Sequence, residues 1–73
     1  MRITIKLFAT LRNNRGKILE NDYSEDTQIR EIIKSLGIDE NDVAILLKNG
    51  ITAKMDDIPC DGDYLSIFPP VGG

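Results

Sequence analysis

The fold is decided by a segment that reads TQIREIIKSLG at residues 27–37. Its large apolar residues recur at i, i+3, i+4 and i+7, a spacing that predicts one apolar stripe along an α-helix. Thr27 is the predicted N-cap, because its hydroxyl can accept a hydrogen bond from a free backbone N–H of the first turn. Gly37 is the predicted left-handed residue after the last turn, and Ile38 can then fold back against the helix. The apolar stripe consists of Ile29, Ile32, Ile33 and Leu36.

Two strands are predicted before this helix. Residues 2–8 alternate between apolar and polar side chains, which is typical of a half-buried strand. Residues 13–16 break the pattern after one expected helical turn at residues 9–12. Residues 17–23 resume an extended pattern, so the two strands form a predicted first hairpin. The residues expected to face inward are Ile3, Ile5, Leu7, Ile18 and Tyr23.

Three strands are predicted after the helix. The first two, at residues 43–48 and 51–54, are joined by Asn49-Gly50. That pair is the strongest short hairpin signal, because both central residues of a type I′ turn need positive φ. A polar loop at residues 56–63 then leads to a last strand at residues 64–68. The residues expected to face inward are Val43, Ile45, Leu47, Leu65 and Ile67.

The order strand, strand, helix, strand, short strand, strand predicts an α+β fold. A mixed sheet of four to five strands would carry the one main helix on one face. With a right-handed crossover through the helix, the solution is the β-grasp, the fold of ubiquitin, in which the first and last strands lie parallel at the centre. Residues 1–73 are predicted to form a single domain of this kind with a flexible C-terminal Gly-Gly tail.

Composition excludes several classes of function. The chain has 73 residues, a net charge of -3, no histidine and one cysteine. The charge argues against nucleic acid as a partner, and the missing histidines remove the commonest general base and a common zinc ligand. No apolar run is long enough for a membrane span or a signal peptide. We therefore expect a cytoplasmic protein that is not an enzyme and binds no metal, no membrane and no nucleic acid.

The C-terminus is the most informative segment. It reads Phe68-Pro69-Pro70-Val71-Gly72-Gly73. The prolines end the last strand, and the residues beyond Phe68 reach about 16 Å at about 3.3 Å per residue. Glycines without a Cβ let the backbone pass where side chains would clash, so this tail suits insertion into a partner's channel. From the residues alone, a frayed terminus explains the glycine pair about as well.

Three motifs resemble the MoaD/ThiS sulfur carriers, and MoaD-type proteins in particular. They are the ending Pro-Pro-Val-Gly-Gly at residues 69–73, the stretch Leu-Phe-Ala-Thr-Leu-Arg at residues 7–12, and Asn49-Gly50. Two departures stand out. Val71 joins the glycine pair directly, where many family members have one residue between, and Pro59 replaces a usual leucine.

The resemblance implies a carrier whose terminal carboxylate is activated elsewhere. Gly73 would carry the adenylate and then the thiocarboxylate, while Gly72 would keep the tail narrow. The implied partners are a ThiF/MoeB-like adenylating enzyme, a sulfur donor protein and a MoaE-like large subunit that holds the molybdopterin precursor. This chain has no Gly-x-x-x-x-Gly-Lys loop. ATP is therefore expected to be used by the adenylating partner, and this chain is expected to bind no cofactor.

Three alternatives stay open at this point. A thiamin-type carrier would use the same terminal chemistry, although Pro69-Pro70-Val71 favours the MoaD type. A ubiquitin-like modifier would join Gly73 to lysines of target proteins. A β-grasp interaction domain would give the glycine pair no chemistry at all.

Strand alternation also predicts a partner-binding surface at the tail end. Phe8 and Phe68 flank inward residues, so both point away from the helix. Leu46 lies between two residues expected to face inward, and it is therefore expected on the same outer face. Three large apolar groups beside the tail favour a docking patch. The predicted partner-binding residues are Phe8, Leu46, Phe68, Pro69, Pro70 and Val71.

Two weaker candidates are interpreted as having no chemistry. Cys60 has acidic neighbours and no histidine to activate it, which disfavours a reactive thiolate. Arg12, Arg15 and Lys17 are expected to form a solvated loop rather than an anion site.

Overall fold

The computed structural model describes residues 1–71. Within these residues, five strands form one mixed sheet in the order β2-β1-β5-β3-β4, and one helix packs against it. Short 3₁₀ helices follow β1 and precede β3, at Ala9–Arg12 and Glu40–Asp42. The α+β β-grasp prediction is confirmed. The elements are β1 Arg2–Leu7, β2 Ile18–Asp22, α1 Ile29–Ser35, β3 Ile45–Lys48, β4 Ile51–Thr52 and β5 Tyr64–Phe68.

The centre of the sheet is the parallel pair β1 and β5, as predicted. Their register places Ile5 beside Leu65 and Leu7 beside Ile67. β2 runs antiparallel to β1 and β3 runs antiparallel to β5, so β2 lies on one side of the central pair and the hairpin of β3 and β4 lies on the other. Because neighbouring strands keep their inward residues in register, the inward face of the central pair is apolar.

The core lies between this face and α1. Eight aliphatic side chains lose nearly all their exposure, and burying each fully contributes about 2 kcal/mol. The inward residues predicted for β1, β5 and the helix are all among them, except Leu36, which is partly buried against the core. Within residues 1–71, no helix is long and apolar enough to cross a membrane. The eight residues are Ile3, Ile5, Leu7, Ile29, Ile32, Ile33, Leu65 and Ile67.

The helix begins differently from the prediction. Thr27 does not cap it, because the Thr27 hydroxyl lies 3.1 Å from that of Ser24 and is buried. The N-cap position is Gln28, whose side chain makes no capping bond. The first free N–H groups of α1 donate instead to main-chain carbonyls of the loop after β4. Those bonds run from Ile29 to Asp57 at 2.9 Å and from Arg30 to Met55 at 3.0 Å.

The end of the helix follows the prediction. Gly37 has φ +75, and its N–H donates to the carbonyl of Lys34 at 3.0 Å. The N–H of Ile38 donates to the carbonyl of Ile33 at 3.3 Å, and Ile38 is buried. This pair of bonds is the Schellman motif, which satisfies the last free carbonyls of the helix.

Gly37→Ala is expected to lower the free energy of unfolding by about 1 kcal/mol, because a left-handed backbone is strained for residues with a Cβ. The added Cβ would meet only Arg15 Nη2, at 3.8 Å, so strain rather than a clash sets the loss. Gly37→Asn is the matched control and should lose less, since asparagine tolerates this conformation. Urea unfolding of the three proteins measures the difference. Equal stability in all three would contradict the left-handed position.

The hairpin between β3 and β4 has the predicted turn. Asn49 has φ +52 and Gly50 has φ +82, so both central residues are left-handed. The Asn49 side chain also donates to Asp63 Oδ1 at 2.9 Å and accepts from the N–H of Tyr64 at 3.0 Å. Two hydrogen bonds hold the pKa of the Asp63 carboxyl below its ordinary value. The bond from the Asn49 side chain has the larger effect, and the bond from the N–H of Cys60 has the smaller one. This charged contact ties the hairpin to the turn that leads into β5.

Two strands have the opposite phase from the prediction. In β2, Leu19 is opposite the inward Ile5, so Ile18 points outward and is 62% exposed. In β3, Leu46 is opposite the inward Ile67 and is buried, while Ile45 is 51% exposed. The predicted inward positions Ile18, Ile45 and Leu47 are therefore wrong. Tyr23 and Val43 do pack against the core from outside the strands.

Candidate functional site

The C-terminal tail leaves the sheet from a fixed base. The N–H of Phe8 donates to the carbonyl of Ile67 at 3.2 Å, and the N–H of Ala44 donates to that of Phe68 at 2.8 Å. The next two residues are prolines, which have no N–H, so the sheet hydrogen bonding stops there. Val71 is fully exposed. The predicted tail is thus seen as far as Val71, and Gly72 and Gly73 lie outside the described residues.

An aromatic pair marks the same end of the sheet. The rings of Phe8 and Phe68 are stacked, with centroids 4.1 Å apart and an interplanar angle of 12°. They meet because Leu7 and Ile67 are register partners in parallel strands, which brings the next residue of each strand together on the outer face. Both side chains are half-buried. The predicted placement of these two residues agrees with the structure.

The third predicted member of the docking patch is wrong. Leu46 is only 7% exposed and belongs to the core, so it cannot contact a partner on the outer face. Its neighbours take that place, since Ile45 is the register partner of Phe68 and Leu47 is the register partner of Ser66. We define the aromatic patch as Phe8, Ile45, Leu47 and Phe68.

One further apolar residue on this face was missed by the sequence analysis. Ile18 is the register partner of Lys6, and both project from the face opposite α1. The helix covers only the other side, so Ile18 extends the apolar surface to β2, beyond β1. The sequence of β2 predicts an outward Ile18 only when the adjacent Leu19 is taken as the residue that faces the core.

Basic side chains lie close to the aromatic patch. Arg12 donates from Nε to the carbonyl of Leu7 at 2.8 Å, and its guanidinium carbon lies 5.3 Å from the Phe8 ring centroid.

The prediction that Arg15 belongs to a solvated loop is wrong. Arg15 donates to the carbonyls of Leu36 and Gly37 at 2.9 and 3.0 Å, so it closes the C-terminal end of α1.

Residues 1–71 contain no group of three or more cysteine or acidic side chains placed to hold a metal ion. Cys60 has an exposed free thiol, and its main-chain N–H donates to Asp63 Oδ2 at 2.8 Å. What the arrangement can do is hold a thin C-terminal tail beside an apolar surface that a partner can grip.

Comparison with known proteins finds the same fold in solved structures. The putative molybdopterin converting factor, subunit 1, from Pyrococcus furiosus is 24% identical, with a TM-score of 0.80 over 96% of this chain and 98% of that one. The small archaeal modifier protein 1 of Haloferax volcanii is 22% identical, with a TM-score of 0.79 over 94% and 97%. These two likenesses show a shared fold.

A third similar structure contains a partner. It is the complex of subunits 1 and 2 of molybdopterin-converting factor from Helicobacter pylori 26695, which is 18% identical with a TM-score of 0.66 over 100% of this chain and 99% of that one. No curated protein matches the sequence significantly. The model of the ThiS family matches residues 5–73, nearly the whole chain. This chain therefore belongs to the ThiS family of ubiquitin-like sulfur carriers.

Proposed function

We propose that this chain carries sulfur for the assembly of molybdopterin, the organic part of the molybdenum or tungsten cofactor. The observation that carries the proposal is the tail, which leaves β5 from a base fixed on both sides and passes into two prolines beside the aromatic patch. A tail held in this way presents its last carboxylate at a defined place relative to a surface that a partner can bind.

The chemistry of the proposal has two steps at Gly73. The carboxylate attacks the α-phosphate of ATP, and pyrophosphate leaves, so that an acyl-adenylate forms. A hydrosulfide equivalent from the sulfur donor protein then displaces AMP, and the product is a thiocarboxylate. A carboxylate is a poor acyl donor to sulfur until one of its oxygens becomes part of a phosphate leaving group. The nucleotide site belongs to a ThiF/MoeB-like adenylating enzyme, because this sequence has no phosphate-binding loop.

The second partner is a MoaE-like large subunit that holds the acceptor. Support comes from the Helicobacter pylori complex, in which a similar chain is paired with subunit 2 of molybdopterin-converting factor. In this proposal the small chain is the sulfur-donating subunit, and the larger protein supplies the active site. The aromatic patch, Pro69, Pro70 and Val71 would form the contact, with Ile45 in the place first predicted for Leu46.

The length of the tail limits how deep the partner's channel can be. The residues after Phe68 reach about 16 Å when extended, at about 3.3 Å each. Pro69 and Pro70 favour a stiff, extended conformation, so little of that reach is lost to coiling. Relative to the MoaD pattern with a residue between valine and glycine, the tail is shorter by about 3.3 Å. The partner of this chain is therefore expected to have the shallower channel.

A protein modifier is the second candidate, and one observation favours it. The Haloferax volcanii protein with the same fold is named as a small archaeal modifier. A modifier would use the same adenylate but would end in an isopeptide bond to a lysine. A thiamin-type carrier differs from the main proposal only in the acceptor of the sulfur.

Intact-mass analysis of the protein purified from its native host separates carrier from modifier. We expect a population in which one oxygen is replaced by sulfur at the C-terminus. A chain that lacks Gly73 is the control and should show only the unmodified mass. Larger isopeptide-linked species without thiocarboxylate would show that the modifier candidate is correct instead.

Deleting the gene separates the two possible sulfur acceptors. The deletion should abolish the activity of molybdopterin-dependent enzymes but leave growth without added thiamin intact. The reverse pattern would identify a thiamin-type carrier.

A further inference from the structure

The turn between β3 and β4 is made of a chemically reactive pair of residues. A main-chain nitrogen that follows an asparagine can attack the side-chain amide carbon of that asparagine. A glycine offers the least shielded nitrogen, because it has no Cβ. Asn49-Gly50 is the only Asn-Gly pair in the sequence, and both residues are exposed. The turn therefore has the chemistry for deamidation, in which asparagine loses ammonia and becomes aspartate.

In the folded chain, the Asn49 side chain is held at both of its polar atoms. Its Nδ2 donates to Asp63 Oδ1 at 2.9 Å, and its Oδ1 accepts from the N–H of Tyr64 at 3.0 Å. The N–H of Asn49 also donates to the carbonyl of Tyr64 at 2.9 Å. The amide carbon must turn toward the nitrogen of Gly50 before that nitrogen can attack, so the two side-chain bonds must break first.

The turn itself does not require an asparagine at this position. Asn49 has φ +52, and aspartate also tolerates this left-handed conformation. Asp-Gly is as typical of a type I′ turn as Asn-Gly. What an aspartate at residue 49 cannot do is donate a hydrogen bond to Asp63. Conversion would therefore keep the turn and place two carboxylates against each other, where each opposes the ionisation of the other.

We propose that Asn49 is a deamidation site that the contacts with Asp63 and Tyr64 keep closed in the folded chain. Its conversion releases the hairpin of β3 and β4 from the turn before β5. In the reaction, the nitrogen of Gly50 bonds to the amide carbon of Asn49. The amide nitrogen leaves as ammonia with the proton from Gly50, and a succinimide ring forms. Water then opens the ring to aspartate, or to isoaspartate, which adds one carbon to the backbone of the turn.

The bonds around this contact allow the two side chains to be exchanged. Asp63 Oδ2 accepts from the N–H of Cys60 at 2.8 Å, just as Asn49 Oδ1 accepts from that of Tyr64. In the double variant Asn49→Asp/Asp63→Asn, each side chain can still accept its main-chain bond, and the amide can still donate across the contact. The single variants bring two carboxylates together in Asn49→Asp and two N–H donors together in Asp63→Asn.

The first test measures the rate of deamidation at residue 49 in the full chain at neutral pH, by peptide mapping with mass spectrometry. The wild type should convert about tenfold more slowly in water than in urea that unfolds it, because two hydrogen bonds protect the amide. Asp63→Asn should lose most of this protection. Asp26→Asn makes the same change of charge in the exposed turn before α1, so it is the control and should convert like the wild type.

The second test measures urea unfolding of the two single variants and the double variant. Each single variant should lower the equilibrium constant for folding about fivefold, since the contact joins a charged group to an exposed residue. The double variant should recover most of that loss. Such a recovery shows that the contact, rather than either residue alone, attaches the hairpin to the turn before β5.

The outcomes of both tests are decisive. Equal deamidation rates in water and in urea, or in the wild type and Asp63→Asn, would overturn the protection. Wild-type stability of Asn49→Asp, or a double variant no more stable than the single ones, would overturn the release of the hairpin. If Asp63→Asn is unfolded in water, the wild type in water and in urea still decides whether the fold protects Asn49. Neither test involves ATP or a partner, so both results are independent of the proposed function.

Discussion

Deleting Gly73 should abolish adenylate formation while leaving the thermal unfolding of the chain unchanged. The carboxylate of a chain shortened by one residue would stop about 3.3 Å short of the α-phosphate, well beyond attacking distance. The stability of the fold should not change, because the hydrogen bonds of the sheet end at Phe68 and Val71 is already fully exposed. Pyrophosphate exchange and a thermal melt of the same preparation measure both quantities.

A bulky residue at Gly72 is the companion variant. Gly72→Leu keeps the length of the tail but adds a side chain where a narrow channel has no room, so activation should be lost as well. Gly72→Ala adds only one methyl group at the same position, so it is the control and should keep more of the activity. Adenylation that survives the loss of Gly73 would remove both the carrier and the modifier from consideration. Normal activation of Gly72→Leu would argue only against a narrow channel.

Phe8→Ala and Phe68→Ala should weaken partner binding more than folding. An aromatic anchor at the centre of an interface typically costs about 2 kcal/mol or more when truncated, which is about 30-fold in Kd. The two rings stack on each other and are half-buried, so each variant should also lose about 1 kcal/mol of the free energy of unfolding. Calorimetric titration of the adenylating enzyme and urea unfolding give the two numbers for each variant.

A matched apolar truncation shows whether the effect is specific to this face. Ile51 is 73% exposed and is the register partner of Lys48, on the opposite side of the sheet from Leu47. Ile51→Ala should therefore change neither binding nor stability by a measurable amount. Loss of stability in the phenylalanine variants with unchanged affinity would show that the rings belong to the core and that the aromatic patch is not a docking surface.

The sequence correctly predicted those elements whose residue pattern fits only one kind of secondary structure. The helix stripe matches only a 3.6-residue period, and β1 alternates without interruption, so both had a single solution. Asn49-Gly50 needs positive φ at both residues, which leaves little besides a tight hairpin. These elements fix the β-grasp, and the stacked Phe8 and Phe68 follow from the parallel alignment of β1 and β5.

The errors fall where the pattern was ambiguous. The segment before Asn49 is apolar at every residue from 43 to 47, so alternation could not say whether Leu46 or its neighbours face the core. In β2, Ile18 and Leu19 are adjacent apolar residues with the same ambiguity. The register across the sheet decides both cases, and register depends on contacts between segments far apart in the sequence.

The capping of α1 could not be predicted for a related reason. Thr27 is a reasonable N-cap by local rules, but its hydroxyl is used by Ser24. The free N–H groups of the helix find the carbonyls of Asp57 and Met55, which follow β4 in the sequence. The same holds for Arg15, whose guanidinium reaches the carbonyls at the other end of the helix. The two members of each bond from the helix N–H groups, and of each bond from Arg15, are more than 20 residues apart in the sequence, so local rules could not predict them.

This distant capping has a consequence for how the molecule holds together. A helix of seven residues is too short to persist alone in water, since isolated helices shorter than about 12 residues are marginal. Here its first turn depends on the segment after the second hairpin, and its last turn depends on the connection inside the first. Helix and sheet therefore form and melt as one cooperative unit. A partner that pulls on the tail is therefore expected to unfold helix and sheet together rather than to separate one layer from the other.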